Sequence, residues 1–288
     1  MFGGRGLSGM RCVMRSPATR ALTDYLNAQI GQIQIGDSEL RGAENRDTIH
    51  DTRVATRRFR STLRVFAKIL DAGIGDLDRE LKWYAGLLGD VRDCQVQGRR
   101  FDEALDAMPE ELILGPVRSR IRNDLQAIEL PARARLSEAM DSDRYHRLQA
   151  ALRRWRDEPP VDQRLSAKAL RKRARRAQRK ADRRLAAALD SGDDVMLHRA
   201  RKAAKRARYA AELGKPLDQG AGRTIKHYKR IQGLLGDHQD TVVATEALRQ
   251  MAVTAGTTVG ENGFSYGVLY ARELQIARRC REGALQLV

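Results

Sequence analysis

The chain has little cysteine, few aromatic residues and no long apolar run. Cys12, Cys94 and Cys280 are widely separated and odd in number, with no Cys-x-x-Cys spacing. That argues against both a disulfide framework and a zinc knuckle. Five Phe, seven Tyr and two Trp in 288 residues leave little material for strands. No apolar stretch approaches the length of a bilayer span, so an integral membrane protein is not expected. Residues 1–15 are Gly-rich and interrupted by Arg5 and Arg11, without the apolar core of a secretory signal. They read as a disordered basic head, with Met10 and Met14 as alternative starts, and the protein as cytoplasmic.

Positive charge is abundant. Lys and Arg total 54 against 37 Asp and Glu, a formal net charge of +17. Such an excess repels itself in a compact state and points to an anionic partner: nucleic acid, an acidic membrane surface or an inorganic phosphate polymer. Arg outnumbers Lys by 44 to ten. Its rigid fork of donors matches phosphate oxygens, although a GC-rich genome produces the same bias. Residues 161–240 hold 22 Lys/Arg and nine Asp/Glu, so the second half carries the stronger field.

The composition, rich in Ala, Leu, Arg and Glu, favours helices. The punctuation predicts helices over about 17–35, from a cap at Asn45 or Asp47 to about 71–73, and from about Asp76 through or bending at Leu87–Asp90. Pro109 fits the start of another helix, which Gly115-Pro116 and Pro131 should break or kink. A shorter one covers about 142–156. Pro159-Pro160 is the strongest boundary, and the order then restarts. Helices follow over about 164–189, over the His198 segment, over the segment with Lys226 and Lys229, beyond Leu234–Asp237, and over about 264–287. The expected architecture is all-α: two tandem, pseudo-symmetric antiparallel bundles of four-helix type, 16–158 and 161–288, flanking a basic groove or pore.

The halves also share motifs. His50-Asp51-Thr52-Arg53-Val54-Ala55-Thr56-Arg57-Arg58-Phe59-Arg60 returns 148 residues later as His198-Arg199-Ala200-Arg201-Lys202-Ala203-Ala204-Lys205-Arg206-Ala207-Arg208. Leu87-Leu88-Gly89-Asp90-Val91-Arg92-Asp93 is matched by Leu234-Leu235-Gly236-Asp237-His238-Gln239-Asp240. At 100° per residue, His50, Arg53, Arg57, Arg60 and Arg64 fall within an arc of about 80°. His198, Arg201, Lys205 and Arg208 repeat the first four offsets, and Glu212 stands where Arg64 would recur. Arg58 and Arg206 lie off this stripe and read as solvent-facing. Val54, Leu63, Val65, Phe66, Ile69 and Leu70 form the expected core face.

A cation at nearly every turn, about 5 Å apart, can meet successive phosphates of a flexible chain, although most single charge runs are ordinary solvated faces. Lys82 and Lys229 correspond at the 147-residue offset. The segment from Lys168 to Arg184 carries ten basic residues and one acid; Arg171, Lys172, Arg175 and Arg179 are its densest part, opposite an Ala-rich apolar arc. About half of these should touch ligand. His50 and His198 fit either a phosphate donor or a structural histidine, and Asp93 and Asp240 either a cap or a pin for an arginine.

These motifs resemble the CHAD family, the conserved histidine α-helical domain. Its first signature, His-x-x-Arg-Val-x-x-Arg-Arg-Leu-Arg, is matched from His50 to Arg60 with Phe59 in the Leu position. Its second, His-x-x-Arg-x-x-x-Lys-Arg-x-Arg-Tyr-x-x-Glu, is matched by His198, Arg201, Lys205, Arg206, Arg208, Tyr209 and Glu212. The Leu-Gly-x-x-x-Asp elements at Leu88–Asp93 and Leu235–Asp240 also fit. The resemblance implies two helical bundles around a basic surface or pore that binds inorganic polyphosphate, in a family associated with polyphosphate granules. Some members carry a triphosphate-processing CYTH domain with a Glu-x-Glu-x-Lys pattern, absent here, so a stand-alone binding domain is expected.

The residues expected to bind polyphosphate are His50, Arg53, Arg57, Arg60, Arg64, Lys82, Arg171, Arg175, Arg179, His198, Arg201, Lys205, Arg208, Lys226 and Lys229. No catalytic residue, metal or cofactor is expected. RNA or DNA binding is the alternative, against which stands the lack of a stacking platform among Trp83, Trp155 and the scattered Tyr residues. A phosphohydrolase is third, because the stripes lack clustered carboxylates.

Overall fold

The computed structural model describes residues 15–42, 47–70 and 74–287; the predicted head, Cys12, Asn45 and the 71–73 helix end lie outside them. Among the described residues the chain is all-α. Its helices are α1 (Pro17–Arg41), α2 (Thr48–Phe66), α3 (Ile74–Asp106), α4 (Val117–Asp141), α5 (Asp143–Asp157), α6 (Ala167–Ser191), α7 (Asp194–Gly214), α8 (Ala221–Thr257) and α9 (Phe264–Leu285). The duplication shows in matching elements: α1 with α6, α2 with α7, α3 with α8 and α4 with α9. Both repeats open on the same device. Ser16 accepts from the Thr19 amide at 3.0 Å and Ser166 from the Ala169 amide at 3.1 Å, satisfying first-turn donors that the helix cannot.

Several helices outrun their predicted ends. α1 continues through Gly36-Asp37 to Arg41 because both residues serve packing rather than a turn. A methyl group on Gly36 would lie 1.9 Å from Thr52 Oγ1, so the bare glycine lets α1 and α2 touch. Asp37 accepts from the Tyr145 hydroxyl at 2.9 Å and pairs with Arg41 at 3.2 Å. Pro109 does not start a long helix; it precedes a short 3-10 turn, and α4 begins only after Gly115-Pro116. Pro131 sits inside α4 without ending it. It is exposed, so the carbonyl one turn earlier, deprived of its donor, faces solvent. The segments on either side of Leu234–Asp237 are one helix of 37 residues, and Leu87–Asp90 lies within an unbroken α3 of 33.

The apolar periodicity feeds three cores. The first gathers Leu22, Leu26 and Ile30 of α1, Phe59, Leu63 and Phe66 of α2, Tyr84 and Leu88 of α3, and Leu148 and Leu152 of α5. Leu165 and Leu170, and Leu213 at the end of α7, join it from beyond Pro159-Pro160. The second draws on both repeats: Phe101 and Leu105 of α3 and Ile121 of α4 meet Leu248 of α8 and Tyr266 and Leu269 of α9. The third holds Leu185 of α6, Leu197 and Ala200 of α7, and Tyr228, Ile231 and Leu235 of α8. Pro159-Pro160 separates the repeats in sequence, while the packing crosses it. Each fully buried Leu or Phe is worth roughly 1.5–3 kcal/mol.

Of the expected core face of α2, Leu63, Phe66 and Leu70 are buried and Val65 and Ile69 partly so, whereas Val54 lines a cleft. Thr52, Thr56 and Thr62 are buried with hydroxyls returned to carbonyls four residues back at 2.7, 2.8 and 3.0 Å. α7 buries Ala200, Ala203, Ala204, Ala207, Ala210 and Ala211, short side chains that admit close neighbours on several sides.

An Ala for Gly normally gains about 1 kcal/mol inside a helix. Gly36→Ala should instead lose about 1–3 kcal/mol through overpacking, read as a lower urea midpoint, and Thr52→Ala in the same chain should recover part of it. An unchanged or higher midpoint for Gly36→Ala would contradict the close contact.

Candidate functional site

α2 and α7 turn their repeated stripes toward each other across a cleft of about 810 Å³. His50, Arg53 and Arg57 line it from α2, and His198, Arg201, Lys205 and Arg208 from α7. α3 contributes Arg92, Asp93, Gln97 and Arg100; α8 contributes Gln232, Gln239, Asp240 and Val243. Nine Lys/Arg and three Asp line this one space, so the field is strongly positive.

The second repeated motif explains how the first is held. Arg53 lies across α3 at Gly89, where a methyl group would come within 3.3 Å of Nε, and its Nη2 reaches Asp93 Oδ1 at 3.5 Å. Arg201 lies across α8 at Gly236, where a methyl group would meet Nη2 at 3.1 Å, and it feels the charges of Asp240 and Asp237. In each repeat, Leu-Leu-Gly-Asp-x-x-Asp is a bare helix surface for a guanidinium followed one turn later by a carboxylate.

Other carboxylates fix the margins. Glu212 receives Arg208 at 3.0 Å, Arg58 at 3.4 Å and the Tyr25 hydroxyl at 3.2 Å. The Tyr209 ring lies near both guanidinium groups, 4.9 Å from Arg208 and 5.5 Å from Arg58. Asp78 holds Arg60 at 2.8 Å and Arg64 at 3.3 Å. Arg100 makes a two-toothed pair with Glu273, which is 2% exposed, and so joins α3 to α9.

At the centre, positive charges are crowded with few counter-charges. Burial, then the neighbouring Arg57, Arg201, Arg53 and Arg208, push the Lys205 amine down to about 6. Burial and Arg53 bring Arg57 down to about 10. Lys202 and Arg206 are lowered by burial first and then by neighbouring cations. His50 is lowered by burial and Arg92, and His198 by burial and Lys202, partly offset by a hydrogen bond with Gln239. Burial and these neighbouring cations therefore bias both imidazoles toward the neutral form, and an entering anion would favour their protonated forms.

Arg60 and Arg64 line a smaller recess of about 100 Å³ that shares Arg57, Lys202, Lys205 and Tyr209 with the cleft. Lys82, Arg179, Lys226 and Lys229 are exposed and do not line the cleft. Arg171 and Arg175 border a separate recess between α6 and the start of α8. Sequence reasoning missed Arg58, Lys202 and Arg206, and the expectation that Arg58 and Arg206 face solvent is corrected. These residues and Val54 occupy offsets 4 and 8 from each histidine, so the facing arc is about 160° wide, twice the assigned one. The repeat carried that signal, since both halves use the same two offsets. Arg92 was hidden at a position that differs between repeats, Gln239 being its counterpart. Among the described residues no three His, Cys, Asp or Glu side chains gather as a metal-ligand set, and no helix is long and apolar enough to cross a membrane.

The CHAD domain family matches residues 24–249 of the chain. Two uncharacterized proteins of Mycobacterium tuberculosis, MT2285 of strain CDC 1551 and Rv2226 of strain H37Rv, are each 36% identical over 280 residues. The match covers 92% of this chain and 51% of theirs, so the chain spans about half the length of these relatives. Among solved structures, PptA from Streptomyces chartreusis superposes with a TM-score of 0.78 at 23% identity, over 94% of this chain and 99% of that one. The CHAD domain from the plant Ricinus communis gives 0.73 at 26% identity, over 94% and 92%.

The crowding around Lys205 has a measurable sign. From its folded value of about 6 up to the ordinary 10.5, the unfolded chain holds the proton and the folded chain does not. Stability should therefore rise with pH through that window, relative to a chain without the amine. The unfolding free energy of wild type minus that of Lys205→Met should increase between pH 7 and pH 9 in urea titrations. A difference that stays flat would show that Lys205 is not crowded by its neighbours.

Proposed function

The chain belongs to the CHAD domain family, and from that premise we propose that its cleft binds inorganic polyphosphate as a non-enzymatic module. The observation that carries this reading is the pair of cationic arcs on α2 and α7, facing one another across a single space with nine Lys/Arg and three Asp. Folding alone gives no reason to hold Arg53, Arg57, Arg201, Lys205 and Arg208 within reach of one another's charge. A polyanion reverses the sign of that interaction.

The mechanism is multivalent. Phosphates along the chain meet cations a helical turn apart, and counterions released from the polymer supply much of the driving force. A single orthophosphate meets only a few of the donors and binds weakly. Binding also takes up protons at Lys205 and the two histidines, so affinity rises as pH falls toward 6. Nucleic acid is the weaker candidate: among the described residues Tyr209 is the only Phe, Tyr or Trp lining the cleft, it is buried, and two guanidinium groups crowd its ring. The three aspartates are spread over α2, α3 and α8 rather than gathered for divalent-metal chemistry. Long polymers held this way would tether the protein to polyphosphate granules, as the family association suggests.

Titration with long-chain polyphosphate tests both halves at once. Arg53→Ala/Arg57→Ala and Arg201→Ala/Lys205→Ala should each weaken binding at least about tenfold, and raising salt from about 50 to 200 mM should cost at least another tenfold. Orthophosphate competing as well as the polymer would refute multivalency. RNA displacing polyphosphate at equal phosphate concentration would favour the nucleic-acid reading, and catalytic phosphate release with a divalent metal would make the protein an enzyme.

A further inference from the structure

A second pocket, of about 590 Å³, opens beyond Arg64 and Arg206 between the end of α2, the start of α3 and the middles of α6 and α7. Its character differs from the cleft. Val65, Ile74, Ala177 and Ala203 give it an aliphatic floor, and Arg173, Arg176 and Lys180 stand at its rim beside Arg64 and Arg206. Among the described residues its one carboxylate, Asp78, is already engaged by Arg60 and Arg64. Among the described residues Arg173, Arg176 and Lys180 have no carboxylate partner, and Lys180 is lowered by Arg184, burial, Arg206 and Arg176. From this floor the cation-lined recess leads back to the cleft, sharing Arg64 and Arg206 with the pocket and Lys202 and Lys205 with the cleft.

A bare phosphate chain has nothing to place on an aliphatic floor. An alkyl phosphate has one anionic group for a whole row of cations. A nucleoside polyphosphate answers both ends: a base and ribose suit a pocket of this size, guanidinium planes at the rim can stack on a base, and several phosphates can follow the row. We propose that this pocket binds a nucleoside triphosphate, its base on the Val65–Ala203 floor and its phosphates running past Arg64 and Arg206 into the recess. The proposal goes beyond polyphosphate binding and does not require it, although long polyphosphate filling the recess would compete.

Calorimetric titration of the full chain with ATP, inorganic triphosphate and dodecyl phosphate tests this. ATP should bind at least about tenfold more tightly than inorganic triphosphate, and Ala177→Glu should abolish that preference while changing inorganic triphosphate affinity less than about threefold. Arg173→Ala/Arg176→Ala, at the solvent-facing rim, should weaken ATP about tenfold and serves if Ala177→Glu melts early. Equal affinity for ATP and inorganic triphosphate would overturn the proposal. So would a loss that is equal for both ligands in the variants, or dodecyl phosphate binding as tightly as ATP. If the ATP preference holds while long polyphosphate fails to bind, only the reading of the cleft falls.

Discussion

Arg53 lies across α3 where Gly89 presents no side chain, and Arg201 crosses α8 over Gly236 in the same way. This contact orders much of what surrounds it. It fixes the distance from the stripe helix to the long helix behind it in each repeat, and it turns a flexible guanidinium into part of a wall. Asp93 then pairs with Arg53 one turn further along the same helix. Residues of two separate signatures, 36 positions apart in the first repeat and 35 in the second, are thus the two faces of one joint. Because the joint occurs twice, the two stripes are presented alike, and they meet where α2 and α7 approach.

Bringing them together is unfavourable. Two unit charges about 5 Å apart at an effective dielectric near 20 repel by about 3 kcal/mol, and four arginines act on Lys205 in this sense. The fold relieves part of this by letting the lysine shed its proton. Carboxylates relieve more at the margins, where Glu212, Asp78 and Glu273 each hold an arginine. The remainder is offset by the cores, the first of which holds Phe59 and Leu63 of α2 in one cluster with Ala210 and Leu213 of α7. Rigid burial behind and unneutralised charge in front are the two halves of a site prepared for an anion before it arrives.

What could be read from residues alone follows from how local each signal is. The duplication, the helical class and the histidine-led stripes were legible, because each is a pattern along one helix. α1 passing Gly36 was not: a mid-helix glycine looks like a stop, and its purpose lies 16 residues away at Thr52. The unbroken α8 was obscured for the same reason, and α3 was expected either to run through or to bend at Leu87–Asp90, since Gly89 and Gly236 serve arginines on another element. Pro131 misled in the opposite direction, because exposure on α4 removes most of its penalty. The width of the cleft-facing arc was hidden too. A helix wheel gives angles, but only the position of the facing helix says how much of the circle it covers, and this brought in Arg58 and Lys202. The clustering of Leu165, Leu170 and Leu213 with the first repeat likewise depends on chain topology that periodicity cannot supply.

The one substitution that breaks the repeat of the stripe shows why the two ends of the site differ. Arg64 and Glu212 occupy equivalent positions, yet they act in opposite senses. Glu212 closes its end, drawing Arg58, Arg208 and the Tyr25 hydroxyl onto one carboxylate and pressing both guanidinium groups around Tyr209. Arg64 leaves its end open, extending the row of cations past Arg60 toward Arg206 and the apolar floor beyond. Perfect symmetry with arginine at both positions would leave Arg58 and Arg208 without their shared counter-charge, and with glutamate at both the row would stop at Arg60. A single exchange of sign therefore converts a two-fold arrangement into a channel with a fixed end and a free one. That polarity is what allows one continuous cationic track to join two pockets of different chemistry.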